Sequence, residues 1–299
     1  MITYKNPEKE NWFLVSWTLS NKCNYRCSYC PEHLHSGYTG HPEWNTVERF
    51  INNFRSNKSI CYRISGGEPT YWKHFADMAK LVKSKGHTFS FMTNGSQSID
   101  YYRDISKYTD GMIISYHPEY ADVEHIIEIA NSVECTVALN LMMVKDQFDE
   151  LYNLAEEIFQ KTTKLAIWPK IILDKSDPDF ITNEPADYTD EQLALIKSWP
   201  FFRKINDSSL HRGDILFNEQ LVDANELILR GLNKHKGWKC YGGIDMINID
   251  MWGNMYRSDC KNGGPIGNIE RYRLPVFPIV CEMESCNCLS DIYLRKDSI

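Results

Sequence analysis

Phe13-Leu14-Val15-Ser16-Trp17-Thr18-Leu19-Ser20-Asn21-Lys22-Cys23-Asn24-Tyr25-Arg26-Cys27-Ser28-Tyr29-Cys30 joins an alternating, β-forming run to three cysteines spaced C-x3-C-x2-C. The run reads as a first strand over residues 13–20 and the cysteines as the loop leaving it. Close cysteines in a chain without an export signal read as metal ligands before disulfides. Thiolates favour soft metals, chiefly zinc and iron–sulfur clusters. A structural zinc site closes with four ligands, and here His33 and His35 are the nearest candidates for a fourth. An iron–sulfur cube held by three thiolates leaves one iron open.

Strand and helix signals alternate outward from this loop. Strands are expected at 60–64, 88–93, 112–115, 136–143 and 165–173, the last interrupted or bulged at Pro169. Helices are expected at 45–56, 71–85, up to about 107, 121–131 and 148–160. Six strand–helix repeats imply a parallel sheet with right-handed crossovers. Ligands of such sheets bind at the carboxyl ends of the strands. Ser65-Gly66-Gly67-Glu68-Pro69, Asn94-Gly95 and Tyr116-His117-Pro118 all fall there.

The cysteine spacing, with the aromatic Tyr29 before the third cysteine, resembles the signature of the radical S-adenosylmethionine (SAM) superfamily. The resemblance implies a partial (β/α)6 TIM-like barrel over residues 10–173. It implies that Cys23, Cys27 and Cys30 hold a catalytic 4Fe–4S cluster whose open iron chelates SAM. Reductive cleavage of SAM would give a 5′-deoxyadenosyl radical that abstracts hydrogen from a substrate carbon. Tyr29 matches the aromatic near the cluster and adenine. Gly66, Gly67, Glu68 and Pro69 match the GGEP motif at the SAM methionyl group, where glycines permit close backbone approach and Glu68 can accept from the ammonium. Ser115 and Asn140 lie where relatives contact the SAM ribose; each could equally be a satisfied core polar group. Thr93 and Asn94 read as turn chemistry. His117 is a candidate substrate contact or a structural histidine. Cys61 and Cys135 read as inert core thiols.

Residues 174–239 read as a connector over the barrel mouth. A capping box, Thr189 to Gln192, opens a helix to about Trp199, and a second helix is expected over 218–232. Residues 240–299 then hold Cys240, Cys260, Cys281, Cys286 and Cys288, with a hairpin over 244–256 around Trp252-Gly253-Asn254 and the turn Gly267-Asn268-Ile269. This resembles the SPASM and Twitch auxiliary-cluster modules of radical SAM enzymes, although Gly253 to Cys260 is longer than their usual interval. The resemblance implies one second, auxiliary 4Fe–4S cluster. A zinc knuckle with four cysteine ligands uses the same residue types. Five cysteines exceed four ligands, so one is expected to be free, with the crowded pair Cys286 and Cys288 its source. A free thiol at the barrel mouth could return hydrogen to a substrate radical; the alternative is a spare cysteine pointing into the module's small core.

The 299 residues carry a formal charge of −7, which argues against bulk binding to nucleic acid or anionic lipid. No apolar run approaches the ~20 residues of a membrane span. Met1-Ile2-Thr3-Tyr4-Lys5 lacks a signal-peptide pattern, and ten cysteines without one suggest a reducing cytoplasm. The expected function is that of a radical SAM enzyme. It would oxidise, epimerise or cross-link a small molecule, carbohydrate or peptide, as an oxidoreductase or epimerase served by a flavodoxin- or ferredoxin-type electron donor. The short segment before the first strand favours a small molecule or carbohydrate, or a peptide presented by another protein. The competing class is a non-catalytic iron–sulfur electron carrier or redox sensor.

Overall fold

The structure is a computed structural model that describes residues 2–5, 11–172, 187–203, 210, 214–222, 224–286 and 289–298. In chain order its elements begin with β1 (Ile2–Lys5), β2 (Trp12–Thr18), α1 (Trp44–Asn53), β3 (Ser59–Ser65), α2 (Phe75–Ser84) and β4 (Thr88–Thr93). They continue with α3 (Ile99–Ser106), β5 (Gly111–Tyr116), α4 (Val123–Ser132), β6 (Thr136–Met143), α5 (Phe148–Lys161) and β7 (Leu165–Ile171). Strands β2 to β7 pair in sequence order, all parallel, with one helix in each crossover. This is the expected α/β partial barrel.

Alternation along the strands decides which face meets the helices. Phe13, Val15 and Trp17 point to the helical side, where the Trp17 ring meets Phe50 of α1 edge-on at 5.4 Å. On β4, Phe91 meets Phe75 of α2 edge-on at 5.1 Å. The opposite face is smaller and more polar. Register aligns Ser16, Arg63 and Ser90 across β2, β3 and β4, and Ser115 with Asn140 across β5 and β6. Ile113, Ala138 and Ala166 form an apolar patch there, on which Leu210 packs.

Pro169 does not bulge β7. It stays in continuous register opposite Leu141. β7 is the edge strand, so the N–H that proline lacks is not needed by a second neighbour.

The connector differs more. Its capping box is present, opening α6 (Asp190–Lys197). Of the second expected helix, over 218–232, only α7 (Ala224–Leu229) is helical; its first residues belong to a hairpin of β8 (Asp214–Phe217) and β9 (Gln220–Val222). Asn218 and Glu219 both take positive φ, 50° and 69°, which gives a two-residue turn of the type that matches strand twist. β8 also pairs with β1, at the other end of the chain.

The C-terminal region holds β10 (Lys239–Cys240), β11 (Met246–Ile249), β12 (Asn254–Tyr256), β13 (Pro265–Asn268), β14 (Arg271–Tyr272), β15 (Ile279–Val280), α8 (Leu289–Ile292) and β16 (Lys296–Asp297). The expected hairpin is β11–β12. Its partner was not foreseen: β11 lies parallel to β2, from Met246 opposite Leu14 to Ile249 opposite Trp17. The barrel strands and the C-terminal strands thus form one ten-stranded sheet, and the edge that β2 would present is covered.

Candidate active site

The cysteine loop leaves the carboxyl end of β2 and is fastened at its base. Gly67 N–H donates to Ser20 O at 2.8 Å and Glu68 N–H to Lys22 O at 2.6 Å. At that approach no side chain fits. A Cβ on Gly66 would lie 2.6 Å from Ser20 O, and one on Gly67 2.2 Å from Lys22 O. The two glycines of GGEP are therefore required by contact with the cysteine loop itself. Asn21, buried at that base, closes the return of the loop. Its Nδ2 donates to His33 O at 2.9 Å and Ser36 Oγ at 2.8 Å, and its Oδ1 accepts from Thr39 N–H at 3.0 Å and Thr39 Oγ1 at 2.7 Å. Sequence reasoning missed Asn21; an asparagine beside the motif gave no periodic signal.

Glu68 is the hub of the site. Its carboxylate is fully buried, and burial pushes its pKa up. Oε1 accepts from Thr70 N–H at 3.1 Å, Thr70 Oγ1 at 2.6 Å and Thr93 Oγ1 at 2.9 Å. Oε2 accepts from Asn94 N–H at 2.6 Å. A carboxylate has about four acceptor positions, two per oxygen. Four donors already meet the carboxylate, three at Oε1 and one at Oε2, so Oε2 is the less crowded oxygen for a further donor such as an ammonium. Asn94 carries the link onward: its Nδ2 donates to Asn24 Oδ1 at 2.8 Å and reaches Cys23 Sγ at 3.9 Å. Thr93 and Asn94, which read as turn residues, connect Glu68 to the first cysteine.

A second brace comes from the loop after β5. Tyr29 OH bonds His117 Nδ1 at 2.8 Å and the two rings lie nearly parallel, 6.0 Å apart. Glu119 accepts from Ser28 N–H at 2.9 Å and Ser28 Oγ at 2.6 Å. Tyr25 stacks on Tyr120 at 4.7 Å, and Tyr120 OH donates to Arg26 O at 3.2 Å. Four residues of the cysteine loop, Tyr25, Arg26, Ser28 and Tyr29, are thus set by Tyr120, Glu119 and His117. Only His117 of these three was singled out from sequence, and it meets Tyr29. The half-buried Ser115 and Asn140 sit side by side on the face turned from the helices.

Burial lowers the His117 pKa from 6.5 to about 4, and burial followed by the nearby Lys296 lowers that of His235 to about 4. Each ring stays neutral in the folded chain while its unfolded counterpart takes a proton below pH 6.5. Their contribution is present above pH 6.5 and lost as pH falls towards 4, by roughly 2 kcal/mol each at pH 5. The urea midpoint of the metal-free protein should therefore be lower at pH 5 than at pH 7, and replacing both histidines with glutamine should narrow the gap.

Burial raises the Cys27 pKa to about 12, and Glu119, Cys30 and Cys23 add to it. Burial also raises Cys23. Among the described residues no three His, Cys, Asp or Glu side chains, the three cysteines with His33 and His35 included, already stand in the geometry of a bound metal ion. The donor set fits a soft metal: three thiols on one anchored loop, whose protons a bound cation would displace.

The sequence profile of the radical SAM superfamily matches residues 17–119, from the end of β2 through the cysteine loop and GGEP to Glu119. Over those residues the chain is similar to the radical SAM superfamily. Proteins with that domain bind a 4Fe–4S cluster and SAM. An S-adenosylmethionine-dependent nucleotide dehydratase of a Thermoplasmatales archaeon is 34% identical over 76 residues, 25% of this chain and 26% of that protein. A GTP 3',8-cyclase of Photorhabdus laumondii is 29% identical over 109 residues, 33% of this chain and 31% of that protein. The chain thus spans about a quarter to a third of the length of these curated relatives. SuiB of Streptococcus suis, solved bound to precursor peptide SuiA, superposes with a TM-score of 0.53 at 13% identity, over 88% of this chain and 63% of that one. That likeness is one of fold.

The C-terminal cysteines lie towards the other end of the sheet. Cys240 and Cys281 pack with Met246, Leu294 and Leu14. Met246 and Leu14 are the register pair at the amino ends of β11 and β2, whereas the Cys23 loop leaves the carboxyl end. Cys286 is buried with Ile215, Val222, Ala224, Leu227 and Ile292, and exchanges two hydrogen bonds with Asn233. Packing with β8, β9 and α7 draws Cys286 into a small core, as in the second of the two alternatives for a spare cysteine. Cys288 lies outside the described residues. Burial raises Cys240, Cys260 (to about 12) and Cys286. Cys61 is buried on β3 and Cys135 half-buried before β6. No helix among the described residues is long and apolar enough to cross a membrane.

Proposed function

We propose that this chain cleaves SAM reductively and uses the resulting radical to take hydrogen from a carbon of a small polar substrate. The observation that carries this reading is the continuous path from the GGEP turn to the cysteine loop: two backbone bonds at the base, then Glu68, Asn94 and Cys23. An electron carrier needs the cysteines but has no use for a buried carboxylate poised beside them. When bound, the cluster supplies an electron and SAM the carbon–sulfur bond that breaks to give the 5′-deoxyadenosyl radical. Cys23, Cys27 and Cys30 would hold three irons. Gly66 to Pro69 would form the wall for the methionyl group, with Oε2 of Glu68 facing its ammonium. Tyr29, held by His117, would flank the adenine, and Ser115 and Asn140 would meet the ribose.

The substrate would lie on the sheet face turned from the helices. Ser16, Arg63 and Ser90 line it in register, and the buried Arg63 suits an anionic or polyhydroxylated molecule. Two curated relatives act, by name, on nucleotides, which supports a phosphate-bearing small molecule and adds dehydration or cyclisation to the oxidation and epimerisation expected from the motifs. A flavodoxin- or ferredoxin-type protein would supply the electron. Cys240, Cys260, Cys281 and Cys286 would hold an auxiliary 4Fe–4S cluster.

Anaerobic reconstitution with iron and sulfide, then dithionite and SAM, tests the central claim. We expect 5′-deoxyadenosine. Full iron loading with none formed would leave the carrier reading standing, and purification with zinc in place of iron would remove both.

A further inference from the structure

Elements distant in sequence close on one buried ammonium beside the C-terminal cysteines. Lys296, 4% exposed, lies on β16 directly opposite Cys240 on β10. Directly opposed strand residues have Cβ atoms about 4.5–5.5 Å apart. On the other side of β10, β15 leads into Cys281, whose N–H donates to Trp238 O at 2.8 Å. Cys260 is tied to the same centre through Asp291, which accepts its N–H at 2.9 Å and that of Asp259 at 3.1 Å. Lys296 Nζ donates to Asp291 O, to Leu294 O at 2.9 Å and to Ile292 O at 3.4 Å. It also lies 5.2 Å from the centre of the Tyr4 ring, so β1 roofs the site.

Three carbonyls satisfy the three N–H groups of this ammonium but leave its charge uncompensated. Asp291, itself buried, spends its two carboxylate oxygens on the N–H groups of Asp259 and Cys260, and it is its main-chain carbonyl that meets Lys296. A purely structural lysine would sit more cheaply at the surface, since a buried unpaired charge is costly. The natural counter-charge is a set of thiolates. Four thiolates around a 4Fe–4S core carry net −2 when oxidised and −3 when reduced, and net charge is one of the quantities that sets the potential of such a centre.

We propose that Lys296 is the resident counter-cation of the auxiliary cluster, and that its charge favours the reduced state of that cluster. The inference rests on the auxiliary-cluster reading above. It gives β16, β10 and β1 a shared purpose: they bury one positive charge against a cysteine site and exclude water from it. In that setting a fixed charge acts with little screening.

The test uses the full chain with Cys23, Cys27 and Cys30 all changed to alanine, so that only the C-terminal site can hold iron. Iron and sulfide are counted after anaerobic reconstitution, and the midpoint is read by a redox titration followed by electron paramagnetic resonance. Lys296→Gln removes the charge and keeps an amide donor; Lys296→Arg keeps the charge. We expect about four irons in the parent. In Lys296→Gln we expect a roughly tenfold lower ratio of reduced to oxidised cluster at fixed potential, about 59 mV for one electron. Lys296→Arg should stay within a few-fold of the parent. No iron in the parent would overturn the auxiliary-cluster reading itself. Full iron with an unchanged midpoint in Lys296→Gln would overturn the counter-cation alone. If Lys296→Gln takes up no iron while Lys296→Arg does, charge is required for assembly and the proposal stands. If neither takes up iron, the site needs the shape of lysine and the proposal fails.

Discussion

Cys27→Ala is expected to abolish 5′-deoxyadenosine formation while leaving the barrel folded. Cys27 is the buried member of the triad and the one on which both its neighbours act most directly. Removing it leaves two thiols, and a cube with two protein ligands has no means of presenting a single open iron to SAM. The fold does not depend on it. The apolar core runs through Phe13, Val15, Trp17, Phe50, Phe75, Phe91 and their neighbours, and the loop base is held by the Ser20, Asn21 and Lys22 backbone contacts. Losing one small loop side chain costs the core nothing comparable to a cavity of a few kcal/mol. The checks are iron content, far-ultraviolet circular dichroism and product analysis on the same sample. A folded variant that still made 5′-deoxyadenosine at the parent rate would remove this loop from the mechanism.

Glu68→Ala carries the second large effect. The substitution strands the hydroxyls of Thr70 and Thr93 and the N–H groups of Thr70 and Asn94, all of which now end on one carboxylate. Hydrogen bonds to charged groups are worth about 1.5–3 kcal/mol each, so loss of one contact to SAM alone weakens binding about 10- to 150-fold. Loss of the internal network should add to this by releasing Asn94 from Cys23. Glu68→Gln is not a mild alternative. With its oxygen facing the three donors at Oε1, its amide nitrogen would oppose the Asn94 N–H. We therefore expect both variants to bind SAM at least tenfold more weakly at matched iron content, measured by anaerobic equilibrium binding. An affinity equal to the parent would show that the carboxylate does not face the cofactor.

The chemistry of the site was legible in the sequence because ligand spacing and glycine pairs are local. C-x3-C-x2-C and GGEP lie on single loops, and the strand and helix periods that frame them are properties of a few turns of chain. The order of β2 to β7 follows from the same signals, since short right-handed crossovers leave few other topologies. What held those loops together was not legible. Asn21, Asn94, Glu119 and Tyr120 act through contacts with residues 12 to 94 positions away, and a polar residue at a strand end looks the same whether it closes a turn or holds a neighbouring loop. The helix expected over 218–232 is present only at 224–229; its first residues suit either period, and the pairing of β8 with β1 decided for a hairpin.

Sequence alone determined the fold class, the catalytic cysteines as candidates and the family to which they point. Only the tertiary structure decided where the second cysteine group lies. The C-terminal hairpin could have formed a separate unit; instead β11 takes the open edge of β2, because an unpaired strand edge leaves backbone donors and acceptors without partners. That one pairing puts Cys240 and Cys281 at the amino end of the strand whose carboxyl end bears Cys23. It also allows β16 to place Lys296 opposite Cys240, a charge buried by residues almost sixty positions apart. No local pattern encodes such a neighbour, since its energetic value exists only once both elements are buried together.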